Sequence, residues 1–163
     1  MTAGRRAGPA VATLPLAFTL QGLARFPGLP ARATIARWVR LALLPPPTPA
    51  APPARILVRL VDGREGRRLN RTFRQRDHAT NVLTFDYAVA PPWADIVLCI
   101  PVIRREARAR HRTLHDHLAH LVIHGMLHAQ GHDHQDRAQA RTMEALERAL
   151  LDRLGIRDPY IID

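Results

Sequence analysis

The chain has 163 residues, 14 prolines, nine histidines and a single cysteine, a one-domain length that can bury a core without disulfides. It holds no run of about 18 apolar residues of the kind that spans a bilayer. The lone Cys99 excludes an intramolecular disulfide or a thiolate-rich zinc cluster and suits a reducing, cytoplasmic setting. The net charge is +10 and all 24 basic residues are arginine. Residues 1–76 carry 14 of them against two acids, and residues 77–163 carry ten against twelve. A basic half joined to a near-neutral half points to a polyanionic partner, nucleic acid first.

The N-terminal stretch has Arg5 and Arg6, but Thr13, Pro15 and Thr19 interrupt the apolar segment behind them. It reads as a short tail entering a strand, not as a signal peptide. Residues 11–20 are predicted to form that strand, at a sheet edge because Pro15 donates nothing to a ladder. Ile35, Trp38, Val39 and Ala42 recur at helical spacing and predict a helix over 30–44. The segment 45–53 holds six prolines in nine residues and reads as a stiff connector inside one domain spanning 1–163.

Residues 55–61 predict a strand ended by the turn signal Asp62-Gly63. An arginine-rich stretch, 64–76, follows, with a short helix around LNRTFR. Two more strands are expected at 81–87 and 95–100, separated by Pro91 and Pro92, and Cys99 falls inside the second as a buried residue. Pro101 opens a helix over 101–111. Thr113 with Asp116 resembles a capping box and starts a helix reaching about 130, stopped by Gly131. A last amphipathic helix covers 135–154, closed by Gly155. The pattern predicts an α/β (α+β) fold with about four strands and four to five helices.

Eight of the nine histidines lie between 111 and 134. His124 and His128 are four apart, so their rings leave one face of the helix a turn apart, close enough to clasp one ion. Gly131 lets the chain turn back toward that ion, giving H-x-x-x-H-x-x-G-x-x-H as His124, His128, Gly131 and His134. Three imidazoles around an open position make a catalytic zinc arrangement, since structural sites are usually closed by four protein ligands. Imidazoles also suit copper, nickel and iron. The spacing is that of the metzincin proteases, but their glutamate after the first histidine is Gly125 here, which argues against a peptidase. His132 competes with His134 as third ligand. His120, one turn before His124, reads either as support for the ligands from behind or as a satisfied core histidine; Asp133 could be a ligand too, though orienting a ligand imidazole is its more ordinary role. His115 and His117 read as surface residues.

With these residues in place, HLVIHGMLHAQGHDH at 120–134 resembles the signature of the bacterial YbeY family, endoribonucleases and ribosomal RNA maturation factors. The segments 69–87, 94–100 and 143–161 agree with that family in the same order. The resemblance implies a single domain with a mixed four-stranded sheet and the metal-binding helix packed across it. It implies one Zn2+ per chain on His124, His128 and His134, which favours His134 over His132. It also implies hydrolysis of single-stranded RNA, in maturing the 3′ end of small-subunit ribosomal RNA and in ribosome quality control. The small ribosomal subunit and its proteins would then be partners, with no membrane involved.

The family's functional arginine falls at Arg74, placed to hold the scissile phosphate. Arg67, Arg68, Arg71 and Arg76 would grip flanking phosphates. Gln75 and Ala79 stand where a glycine and a proline are common, and His132 replaces a usual tyrosine. No general base is evident, with His120 or a second water as the remaining choices. Aromatic residues are 5% of the chain, which favours contact through the phosphate backbone over base stacking. A non-catalytic RNA-binding assembly factor with a structural zinc, or a metallohydrolase on another substrate, is the alternative reading.

Overall fold

The computed structural model describes residues 14–44 and 51–161. Residues 11–13 of the first predicted strand and 45–50 of the proline-rich connector lie outside the described residues. Strand β1 (Leu16–Gln21) leads through a 3-10 turn to α1 (Arg32–Ala42), then β2 (Ala54–Val61), α2 (Gly63–Arg74), β3 (Val82–Val89) and β4 (Pro92–Cys99). Helices α3 (Ile100–Ala109), α4 (Leu114–Ala129) and α5 (Arg137–Asp152) complete the chain. The sheet order is β1-β2-β4-β3, with β1, β2 and β4 parallel and β3 antiparallel to β4. This is the mixed four-stranded sheet that the resemblance implied. β1 is an edge strand, and Pro15 serves it as an acceptor, its carbonyl taking the Ala54 N–H at 2.8 Å.

Alternation along the strands divides the sheet into two unlike faces. Ile56, Val58 and Leu60 of β2 and Ala94, Ile96 and Leu98 of β4 point into the main core, where Trp38, Leu118, Ile123, Met126 and Leu127 are fully buried. Each buried Val, Leu, Ile or Met side chain among them contributes roughly 1.5–3 kcal/mol. The opposite face carries a smaller cluster of Val61, Leu83, Val97 and Cys99, joined by Val102 of α3 and edged by Leu69 of α2. α2 leans on that end of the face so closely that a Cβ on Gly66 would stand 2.9 Å from the Cys99 sulfur.

Two elements differ from the sequence reading. The short helix expected around LNRTFR runs the full length of Gly63–Arg74, because Asp62 caps it: its carboxylate accepts the Glu65 N–H at 2.9 Å. The turn signal that ends β2 therefore also starts α2. β3 and β4 form a hairpin paired up to Val89 and Pro92, so the prolines sit in the turn and at the first position of a strand. The capping reading at the start of α4 matches what is seen, with the Thr113 hydroxyl accepting the Asp116 N–H at 3.0 Å.

Candidate metal centre

α4 lies between the sheet, α1, α3 and α5, and eleven of its sixteen residues are buried. His124 and His128 are half-buried on its remaining side. The helix ends in a Schellman turn: the Gly131 N–H reaches the His128 carbonyl at 3.0 Å and the His132 N–H reaches the Leu127 carbonyl at 3.0 Å. Gly131 adopts φ +89°, open to glycine at no steric cost. The reversed chain carries His134 back beside the helix, with ring centroids 5.8 Å from His124 and 5.0 Å from His128.

The Nε2 atoms of His124 and His128 are 3.1 Å apart. Ligand nitrogens of His124, His128 and His134 all lie within 4.8 Å of one another. Two nitrogens each about 2.0–2.1 Å from one tetrahedral ion would be roughly 3.3 Å apart, so these rings fit a single small cation. Burial, then the neighbouring His124 and His134, holds the His128 ring below the usual imidazole pKa, in the neutral form that ligates. His132 lines the same cleft but is not in this converging group.

Behind His124 stands Glu147 of α5, which the sequence reading missed. Its carboxylate is fully buried, and Oε1 accepts from His124 Nδ1 at 2.5 Å. The Tyr160 hydroxyl donates to the other oxygen, and His120 Nε2 lies 3.4 Å from it. Burial alone would raise the carboxyl pKa; the contacts from His120, His124 and Tyr160 outweigh it and keep Glu147 ionised. The hydrogen bond fixes His124 with Nδ1 protonated and Nε2 free, the form that binds a metal. A buried anion paired only with imidazoles and a phenol is the partner expected behind a cationic centre. The signal in the sequence was faint: Glu147 is the acid that falls on the apolar stripe of α5, between Met143 and Leu150.

The other predicted positions are distributed as follows. His120 lies beside Glu147 and His124 and does not line the cleft. Asp133 accepts the His134 N–H at 2.7 Å, while its carboxylate stays 3.8 Å from the His134 ring, so it shapes the loop more than it orients the imidazole. His117, read as a surface residue, is 2% exposed and holds Glu106 at 2.8 Å, because α3 packs over that turn of α4. His115 is exposed as expected, edge-on to Trp38. Gly125 packs directly on the sheet; a Cβ there would meet Ile96 Cγ2 at 2.8 Å. The position that carries a glutamate in metzincins therefore faces β4.

Arg74 ends α2 and lines the same cleft of about 570 Å³ as the three histidines. Its guanidinium donates to the Thr84 carbonyl at 3.1 Å and lies 5.5 Å over the Phe85 ring. Asp86 and Asp133 are the carboxylates on the cleft wall. Arg67, Arg68 and Arg71 line a separate basic groove of about 710 Å³ along α2. Of these, Arg67 is engaged by Asp77 through two contacts of 2.9 and 2.8 Å, and Arg68 leans toward Glu65 at 3.8 Å. Arg76 lines neither cavity. Gln75 closes α2 at φ 57°, a left-handed conformation that explains why glycine is common there.

A model of the endoribonuclease YbeY family matches residues 32–155. The chain is 50% identical over 153 residues to an endoribonuclease YbeY of Paracidovorax citrulli, covering 89% of this chain and 95% of that one. The chain belongs to the endoribonuclease YbeY family. A Bordetella pertussis member is 58% identical over 111 residues, 66% of this chain and 71% of its own. The solution structure of a Thermotoga maritima protein superposes with a TM-score of 0.51 at 21% identity, covering 90% of this chain and all of that one, a likeness of fold. The YbeY-family resemblance drawn from four sequence segments is thus upheld across most of the chain. Among the described residues no helix is long and apolar enough to cross a membrane.

Proposed function

We propose that this YbeY-family chain is a zinc-dependent endoribonuclease that cuts single-stranded RNA at the cleft formed by His124, His128, His134 and Arg74. One observation carries the reading: a guanidinium with free donors shares a cleft with three converging imidazoles. The zinc assignment rests on ligand type, since three neutral imidazoles and an open position suit that ion best. When bound, the ion supplies Lewis acidity toward a phosphoryl oxygen and acidifies a nearby water.

The chain's own groups have distinct tasks. Glu147 holds His124 in the ligating tautomer. Arg74, steadied by the Thr84 carbonyl and the Phe85 ring, takes the scissile phosphate and meets the charge that builds on it. Asp86 and Asp133 are the carboxylates placed to accept a proton in the cleft. Arg68, Arg71 and Arg76 attract flanking phosphates on the α2 side. The family resemblance further supports ribosomal RNA as the substrate, at the 3′ end of the small-subunit molecule, with a part in ribosome quality control and contact with small-subunit proteins in the cytoplasm.

The test is cleavage of an unpaired RNA by wild type, His128→Ala and Arg74→Ala, with RNA binding measured in parallel. His128→Ala should bind RNA and cut none of it. Arg74→Ala should lose roughly 100- to 1,000-fold in rate, the usual cost of one charge-stabilising donor. Undiminished cleavage by either folded variant would refute the assignment of the cleft.

A further inference from the structure

The sheet face opposite α4 is only half covered. α2 shields Val61, Leu83, Val97 and Cys99, and beyond them the strands present side chains to solvent. Three of the four most exposed aromatic residues, Phe73, Tyr87 and Trp93, lie on this open part or at its border. Trp93 is 49% exposed and Tyr87 55%, with ring centroids 5.3 Å apart, and the Tyr87 hydroxyl bonds Asp95 at 2.9 Å. Arg55, paired in register with Trp93, lies 5.7 Å over its ring, and no described carboxylate pairs with that arginine. A shallow hollow of about 250 Å³ opens beside them, floored by small residues of β1. At the β3 end, Phe73 is 55% exposed and packs edge-on to Phe85 at 5.1 Å, directly under Arg74.

We infer that this open sheet face is a base-stacking platform for single-stranded RNA, reached from the metal cleft around the edge strand β3; the inference rests on the RNA-cleaving reading above. Arg74 is the hinge of the path, since it lines the cleft on one side of β3 and covers Phe85 on the other. Exposed indole, phenol and phenyl rings accept any base by stacking, and interleaved guanidinium groups add phosphate and cation–π contacts. Charge complementarity selects the occupant. An apolar protein surface would leave Arg55 without a partner, whereas a nucleotide offers it a phosphate and offers Trp93 a ring. Low aromatic content thus argues less against stacking than composition implied, because the structure concentrates the exposed rings.

The test uses the full-length, metal-replete chain and a short 2′-O-methylated phosphorothioate oligoadenylate, its length checked on a gel after each titration. Trp38 is fully buried, so quenching of the exposed tryptophan reports on Trp93. Binding should quench emission, and the Trp93→Ala, Tyr87→Ala double variant should raise Kd by about 5- to 150-fold, one stacked base's worth. Trp93→Phe, which keeps a ring, should bind nearly as wild type. Arg55→Ala should lower the salt slope of binding by about one. A double variant that binds as tightly as wild type, with no quenching in the wild type, would overturn the platform while leaving RNA binding intact. So would equal quenching by duplex RNA, or a change in sedimentation of the free protein, which marks a self-association face. A wild type that binds no single strand overturns the RNA-cleaving reading as well.

Discussion

α4 and α2 carry the residues of the proposed site in opposite ways. α4 is packed on most sides, and its histidines are held by Leu118, Val122, Ile123 and Met126 in the core. α2 buries only Gly66 and Asn70 and sends its arginines into solvent. A metal centre needs nitrogens placed within a few tenths of an ångström, which suits the proposed one to this tightly packed helix. A phosphate grip needs charge in the right region, and long exposed side chains supply that with tolerance for loss.

That contrast is broken most severely at Gly125. Gly125→Glu should not create a metzincin-like base; it should drive a carboxylate against Ile96 and cost several kcal/mol of stability, read by urea denaturation. A folded, faster enzyme would show that this helix face looks into the cleft. Next comes the support behind the ligands. Glu147→Gln keeps an acceptor but removes the buried charge, and metal affinity should fall about 10- to 100-fold in competition with a chelator, with folding retained. On α2 the expected change is small: Arg71→Ala should leave stability within about 0.5 kcal/mol and reduce the salt slope of RNA binding by about one.

Much of the fold was legible because each strand and helix carries its own periodicity. The stripe Ile35, Trp38, Val39 and Ala42 is the buried face of α1, and Gly131 and Gly155 end their helices at positive φ. The histidine triplet was legible because its geometry is local, two imidazoles on one helix and a third across a glycine turn. Glu147 and Tyr160 were not. Glu147 meets His124, and Tyr160 meets Glu147, only through the docking of α5 and the C-terminal segment on α4, and nothing in their spacing announces it. His117 was misjudged for the same reason: its burial comes from α3. The aromatic face was hidden because Phe73, Tyr87 and Trp93 lie on separate elements.

The central claim is that His124, His128 and His134 hold one ion. Metal content by mass spectrometry, on protein purified without chelator, tests it for wild type, His134→Ala and His132→Ala. The account predicts about one zinc per chain in the wild type and in His132→Ala, and little in His134→Ala. Full occupancy in His134→Ala with loss in His132→Ala would contradict the ligand set, and a wild type that takes up no metal on reconstitution would contradict the centre itself.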